Sequence, residues 1–393
     1  MKKRRLYYRI IPYLEHKNAI VITGMRQVGK TTLMRQLFDQ VNDPKLWFDL
    51  DNPLDQMLFE DIDFNAIFKN LTQMSGTINK RLYIFIDEIQ NFPVITKVIK
   101  YLIDYYGVKF IVTGSSSFYL KNLFPESLSG RKFHFNLYPL DFNEYLYFND
   151  LIEEEQFIEK QAFNKTRNIL YNIKKKEIEY DNFIQYGGFP EVVVTKDQQT
   201  KSLILKNVFA SFFEKDLTLL SDITDIRELR NLILLLVPRT GNMLDVTKLA
   251  SELNINRGKV YNYLEFLQTI FFIRLIPKYS QSIDRSVAGG KKVYFSDTGI
   301  LNLIGKVNDG QLFENAVANQ LANYGKLSFY NKRNTAEIDF IIDNKIAFEA
   351  KLNGTARDIE KLKHLAQKLH IPDYYLVSKS FIELEHFISP VNL

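Results

Sequence analysis

The chain has 393 residues, of which 51 are Lys or Arg and 46 are Asp or Glu, so its formal net charge is +5. A chain of this length can hold about two to three domains with sizeable cores. Its 46% hydrophobic and 25% charged residues are ordinary for a soluble globular protein. It has no cysteine, which excludes disulfides, thiolate metal sites and cysteine nucleophiles.

Two further features bear on location. The basic residues 2–5 are followed by Leu6, Tyr7, Tyr8 and Arg9, not by an apolar core, so they do not read as a secretory signal. No apolar run approaches the roughly 20 residues needed to span a bilayer. We therefore expect a cytoplasmic protein with no membrane contact, whose mild positive charge permits nucleic-acid binding without requiring it.

Residues 24–31 fit the P-loop pattern of a Gly, four residues and Gly-Lys-Thr. Residues 18–23 before it read as a short buried strand, and the apolar residues in 32–38 follow helical spacing. A Gly-rich bend between strand and helix directs backbone N–H groups at phosphate, so a chance glycine turn is the weaker interpretation. Lys30 would reach the outer phosphates and Thr31 would hold Mg²⁺. The predicted nucleotide-binding residues are Gly24, Gln27, Val28, Gly29, Lys30, Thr31 and Thr32.

A second apolar strand, residues 82–86, ends in the acidic pair Asp87 and Glu88. In P-loop ATPases the first acid holds Mg²⁺ and the second activates the attacking water as general base. Acids at strand ends also serve as helix N-caps. That alternative explains one acid but not the pair downstream of a P-loop.

Two further candidates follow. The strand at 109–114 ends in Ser115 and Ser116, which are candidates to sense the γ-phosphate, although a serine-rich turn would look the same. Arg131 precedes a predicted strand at 133–137. It is either an arginine finger for a neighbouring subunit, which implies a homo-oligomer, or a plain surface arginine.

Together these motifs resemble the AAA-type ATPases of bacteria and archaea, and within them the subgroup with a C-terminal domain of unknown function. The segments 48–53, 113–117, 138–140 and 186–191 fit that subgroup. The resemblance implies an α/β fold with a parallel-sheet P-loop core at residues 1–150, ATP and Mg²⁺ as ligands, and ATPase activity. Residues 151–222 read as a helical lid, whose first part, residues 151–176, is rich in Glu and Lys with scattered apolar residues.

Residues 223–285 predict a winged helix-turn-helix. An apolar helix at 226–236 precedes two short helices, 246–253 and 257–267, which a tight polar turn separates, and a wing strand follows at 271–276. Arg257, Lys259 and Asn262 would lie on the exposed face of the recognition helix, where they suit duplex DNA. Winged helices also pack against proteins, so a protein partner stays an alternative.

Residues 286–393 read as a further α/β unit that contains a hairpin with its loop at 343–345. In this register Ile342 faces Ile346, Phe340 faces Phe348, and Asp339 faces Glu349. Two facing carboxylates repel unless something positive lies between them, and a divalent cation would serve.

This unit resembles the restriction-endonuclease-like nuclease core, whose signature is an Asp, then Glu-x-Lys, with a Glu on an upstream helix. The resemblance implies a metal site of Glu314, Asp339 and Glu349, with Lys351 holding an activated water. Glu337 is extra to the signature and could pair with Lys351 across the strands. Alternatively the hairpin face is solvated and carries no activity.

Overall fold

We describe residues 1–76, 80–114, 130–159, 170–212, 226–280, 289–332 and 336–393 of a computed structural model. They form two compact units, 1–138 with 269–271 and 139–268 with 272–393. Ser115 and Ser116, the predicted phosphate sensors, lie outside the described residues. Within the described ranges, no helix is long and apolar enough to cross a bilayer. The domain boundaries expected at residues 150, 222 and 285 stay predictions.

The first unit contains a five-stranded parallel sheet. Its strands are β1 Ala19–Gly24, β2 Lys45–Asp49, β3 Tyr83–Asp87, β4 Lys109–Gly114 and β5 Lys132–Leu137. They lie in the order β2-β3-β4-β1-β5. The three central strands are buried along their whole length, because helices cover both faces of such a sheet. This explains why they read in the sequence as continuous apolar runs.

In the described part of this unit, one α-helix precedes these strands and four lie between them. They are α1 Arg5–Ile10, α2 Lys30–Gln40, α3 Pro53–Met57, α4 Phe64–Ser75 and α5 Ile95–Tyr106. The apolar faces of α4 and α5 join one core with the sheet. Gly76 and Gly107 end these two helices in the left-handed conformation, with φ of 65° and 64°.

The second unit begins with helices. They are α6 Phe142–Phe148, α7 Glu154–Glu159, α8 Leu170–Tyr186, α9 Pro190–Val194, α10 Gln198–Ser211, α11 Ile226–Leu236, α12 Val246–Leu253 and α13 Arg257–Thr269. An antiparallel ribbon follows, formed by β6 Ile273–Pro277 and β7 Lys291–Phe295. The two short helices and the strand expected from the sequence at 246–253, 257–267 and 271–276 are therefore confirmed as elements. Their assignment to a winged helix-turn-helix stays a prediction.

The second unit ends in a mixed five-stranded sheet with helices beside it. These elements are α14 Thr298–Ile304, α15 Asp309–Leu321, β8 Leu327–Lys332, β9 Ala336–Ile342, β10 Ile346–Lys351, α16 Ala356–Lys368, β11 Asp373–Ser378 and β12 Phe387–Ile388. The strand order is β12-β11-β10-β9-β8. Strands β8, β9 and β10 are antiparallel, whereas β10, β11 and β12 are parallel.

The β9–β10 hairpin has the predicted register over its first pairs. Ile342 pairs with Ile346, and Phe340 pairs with Phe348. The ladder ends there, so the expected cross-strand pair of Asp339 and Glu349 does not continue it. Instead, the Asp339 carboxylate accepts the backbone N–H of Ala350 at 3.0 Å. A side chain thus takes the place of a strand carbonyl at this point.

The segment 186–191 docks through its two glycines. The N–H of Leu140 donates to the Gly188 carbonyl, and the N–H of Gly188 donates to Asp297, both at 2.7 Å. Gly187 has φ of +77°, and a Cβ there would lie 2.2 Å from the Asp297 carboxylate. Gly299 is equally restricted, since its Cβ would lie 2.1 Å from the Tyr186 carbonyl. Close backbone contact therefore requires these glycines.

Replacing Asp297 with Asn should remove a pH dependence of stability. Burial raises the pKa of Asp297 to about 6, although N–H groups of Gly188, Ile300 and Gly299 favour the anion. An unfolded Asp has a pKa of about 3.9, so the folded state binds the proton more tightly, and stability falls as pH rises from about 4 to about 6. We expect the wild type to lose about 1–3 kcal/mol relative to Asp297→Asn over this range.

Urea unfolding of both proteins at several pH values measures this difference. The exposed Asp309, substituted as Asp309→Asn, is the matched control and should keep the wild-type slope. If Asp297→Asn also keeps that slope, Asp297 is not the titrating group.

Candidate functional site

The P-loop lies between β1 and α2 at the carboxyl edge of the parallel sheet. Gln27 and Gly29 adopt left-handed conformations, with φ of 61° and 94°, which turn the chain sharply before the helix. Gly24 lies so close to β5 that a Cβ would be 2.1 Å from the Leu137 carbonyl. The Arg4 guanidinium holds the loop by donating to the Val28 carbonyl at 2.8 Å. This geometry directs the start of α2 toward an anion site.

Lys30 is 5% exposed, and its ammonium group contacts the loop itself. The Nζ atom donates to the carbonyls of Gly24 at 3.0 Å and Met25 at 2.8 Å. Phosphate oxygens carry more negative charge than these carbonyls, so a bound nucleotide would compete for the same donor. The side chain is therefore held at the loop before ligand arrives.

Asp87 ends β3 and is 4% exposed. The Thr31 hydroxyl donates to its Oδ2 at 2.7 Å. The hydroxyl of Thr113, at the end of β4, donates to its Oδ1. Hydroxyl and carboxylate oxygens are the hard ligands that Mg²⁺ prefers, so Thr31 and Asp87 fit this ion.

Glu88 follows in a left-handed conformation, with φ of 52° and ψ of 48°. Non-glycine residues adopt this conformation at a cost of roughly 1–2 kcal/mol, and such residues are frequent at functional sites. The side-chain amide of Gln90, which is 2% exposed, donates to the Glu88 carboxylate. Gln90 therefore fixes the direction of the predicted general base.

Arg131 lies at the amino-terminal ends of the strands, whereas the P-loop lies at their carboxyl-terminal ends. Its carbonyl accepts the N–H of Ala19 at 2.8 Å, at the start of β1, whereas the P-loop follows the end of that strand. Five residues of strand separate the two edges by about 17 Å. Its guanidinium contacts Asp104 at 2.6 Å. Any role as a finger must therefore serve another subunit, and that role stays a prediction.

Two functional residues of this site were missed in the sequence. Gln90 follows the acidic pair closely enough to contact Glu88, and Thr113 interrupts an otherwise apolar strand. A polar residue in a buried strand is the signal that could have identified Thr113, because buried hydroxyls need a partner.

Helix α13, the predicted recognition helix, exposes fewer positively charged side chains than expected. Arg257 and Asn262 are exposed, as predicted. Lys259 is not, because its ammonium group contacts Glu228 of α11 at 2.5 Å. The Tyr263 hydroxyl donates to the same carboxylate at 2.8 Å. One of the two expected phosphate-binding cations is thus paired with a carboxylate of the same chain.

The predicted nuclease residues lie around an unexpected lysine. Lys292 of β7 is 5% exposed. Its Nζ lies 2.7 Å from Glu337, 3.5 Å from Glu314 and 3.7 Å from Asp339. The expected pairing of Glu337 with Lys351 is wrong, since Lys351 contacts Glu349 at 2.7 Å. We call Lys292, Glu314, Glu337 and Asp339 the lysine-centred cluster.

Burial shifts the titration of these groups. Burial, together with the negative charge of Asp339, raises the pKa of Glu314 to about 7 and that of Glu349 to about 8. Burial alone would lower the pKa of Lys292, but Glu314, Asp339 and Glu337 outweigh it and raise that pKa. Across the described residues, no three His, Cys, Asp or Glu side chains form a group that could hold a metal ion. The role of Glu314, Asp339 and Glu349 as metal ligands therefore stays a prediction.

Comparison with known proteins agrees with the fold described for the first unit. Residues 16–146 match an AAA domain family. The Walker-type ATPase of Pyrococcus abyssi shares the fold, with a TM-score of 0.50 and 15% identity, over 77% of this chain and 95% of that one. Residues 16–146 are thus similar to AAA domains, and the first unit has the parallel-sheet fold of a P-loop ATPase domain.

The rest of the chain matches families without an assigned activity. Residues 177–311 match a domain of unknown function, DUF8612, and residues 309–386 match another, DUF4143. An uncharacterized protein of Methanocaldococcus jannaschii is 27% identical over 91% of this chain and 80% of its own length. An uncharacterized protein of Haemophilus influenzae is 26% identical over 90% and 86%, respectively.

Replacing Thr113 with Val should weaken the ATPase site without changing its volume. The substitution removes the hydroxyl that donates to Asp87, and a hydrogen bond to a charged group is worth about 1.5–3 kcal/mol. We expect steady-state ATP hydrolysis to fall by about tenfold or more.

Thr23→Val on β1 is the matched control. Thr23 is equally buried, but its hydroxyl contacts His134 and Asn136 of β5. Equal losses in both variants would show that any buried hydroxyl matters and would remove Thr113 from the site.

Proposed function

We propose that this protein is a Mg²⁺-dependent ATPase whose active site is the carboxyl edge of the first unit's sheet. The observation that carries the proposal is the contact of the Thr31 hydroxyl with Asp87 at 2.7 Å. It brings the P-loop hydroxyl and the strand-end carboxylate together as a pair of Mg²⁺ ligands. The AAA-domain match over residues 16–146 supports the same conclusion.

Each residue of the site has a separate role in the proposed reaction. Lys30 exchanges its loop carbonyls for the outer phosphates, and the loop N–H groups of residues 24–32 bind the phosphate chain. Thr31 and Asp87 would hold Mg²⁺, which would supply positive charge to neutralise the phosphates. Glu88, directed by Gln90, accepts the proton of the attacking water. Arg131 of a neighbouring copy would stabilise the developing charge.

Substitution of Lys30 and of Glu88 should separate binding from hydrolysis. Lys30→Ala removes the phosphate-binding ammonium, so we expect loss of ATP binding. Glu88→Gln keeps the size and polarity of the side chain but removes the base, so we expect near wild-type binding and at least about 100-fold slower turnover. Fluorescent-nucleotide binding and phosphate release measure the two steps. Full hydrolysis by Glu88→Gln would exclude Glu88 as the base.

The nucleotide state is proposed to control the C-terminal domains, and two partners are compatible with them. Duplex DNA is one, because Arg257 and Asn262 are exposed on α13. A protein partner is the other. The pairing of Lys259 with Glu228 favours the protein, because a DNA-binding helix depends on accessible positive charge.

Duplex DNA should therefore change steady-state ATP hydrolysis by less than about twofold. The assay uses Lys30→Ala as the blank and low salt, where phosphate contacts are strongest. Stimulation by DNA that Arg257→Ala abolishes, and that the exposed Lys248→Ala on α12 leaves unchanged, would overturn the protein-partner interpretation. It would make α13 a DNA-binding helix.

A further inference from the structure

Lys292 occupies the centre of the lysine-centred cluster. Three carboxylates from two elements surround its ammonium group, Glu314 from α15 and Glu337 and Asp339 from β9. The nearest contact is 2.7 Å, to Glu337. The cluster thus already contains one positive charge among its adjacent carboxylates, which lowers their mutual repulsion.

The backbone fixes this lysine in place. Lys292 pairs with Ile276 of β6 on one side and with Met243 in an isolated bridge on the other. Two residues farther along β7, the Tyr294 hydroxyl donates to Glu314 at 2.6 Å. Alternation along a strand puts both side chains on the same face. The cation is therefore delivered by a strand with partners on both edges.

Asp339 and Glu349 are engaged as well. Asp339 accepts the Ala350 N–H at 3.0 Å, and Glu349 contacts Lys351 at 2.7 Å. A divalent ion needs several oxygens at about 2.0–2.6 Å, which these contacts would have to release. Displacing Lys292 would also leave a buried ammonium group without its partners, at a cost of several kcal/mol.

We propose that Lys292 is the resident cation of this cluster, which holds the acids of α15 and β9 in the place where a metal ion would otherwise bind. The C-terminal sheet then binds no catalytic metal and cleaves no nucleic acid by that route. Its carboxylates instead join the β6–β7 ribbon to β9 and α15. This inference is independent of the ATPase proposal, because it concerns residues of the second unit alone.

Manganese titration of the full chain tests this inference. Isothermal titration calorimetry with Mn²⁺, without nucleotide, compares the wild type with Asp339→Asn, Lys292→Met and the double variant. Mn²⁺ bound at the ATPase site contributes equally to all four proteins. We expect the wild type and Asp339→Asn to bind alike. Lys292→Met should gain one Mn²⁺ site that the wild type and Asp339→Asn both lack, because removing the ammonium leaves the carboxylates without their cation, and the double variant should lack this site.

Two outcomes would overturn the proposal. The first is a wild-type site that Asp339→Asn abolishes, because the cluster then binds metal despite Lys292. The second is a folded Lys292→Met protein that gains no site. Lys291→Met, at the exposed neighbour on β7, is the matched control and should titrate like the wild type.

Loss of folding in Lys292→Met is also informative. Thermal unfolding of Lys292→Met and of its double variant with Asp339→Asn measures the coupling between the two side chains. If Asp339→Asn restores folding, the lysine serves to neutralise that carboxylate, as proposed. If it restores nothing, Lys292 acts through packing alone and the proposal fails.

Discussion

The contact of Asp87 with two hydroxyls is the interaction on which the ATPase unit depends. One hydroxyl comes from Thr31 at the start of α2 and the other from Thr113 at the end of β4. They meet because β1, β3 and β4 are parallel neighbours, so their carboxyl ends reach the same edge. The sheet order therefore creates the site, and each residue alone would be an ordinary strand-end polar group.

Local patterns were sufficient for much of this fold. The P-loop strand and helix follow from the apolar runs on either side of Gly24, and β3 follows from the run before Asp87. The hairpin register at Phe340 and Phe348 follows from alternation and a short polar loop. Each of these features depends on residues that are close in sequence, where periodicity and turn chemistry act directly.

Features that depend on distant partners could not be predicted in this way. Two helices and a strand, α14, α15 and β8, separate Lys292 from Glu337 and Asp339 in the sequence, and nothing in its own segment indicates an acidic neighbour. Lys259 has the spacing of a phosphate-binding residue, yet it pairs with Glu228 of another helix. The position of Arg131 just before a strand can be predicted from the sequence. Its distance from the P-loop cannot, because that distance depends on the parallel register of β1 and β5.

Asp87 and Asp339 show how the partner of a buried carboxylate decides what it can bind. Both are almost fully buried, at 4% and 6% exposure. Two hydroxyl groups contact Asp87. Because hydroxyls are neutral, the negative charge of Asp87 remains available to a divalent ion, which hydroxyl and carboxylate oxygens can ligate. Asp339 lies beside the ammonium of Lys292, and a positive charge already offsets its own. These two buried acids, one at the end of β3 and one within β9, therefore have different partners: hydroxyl donors contact Asp87, and a lysine lies beside Asp339.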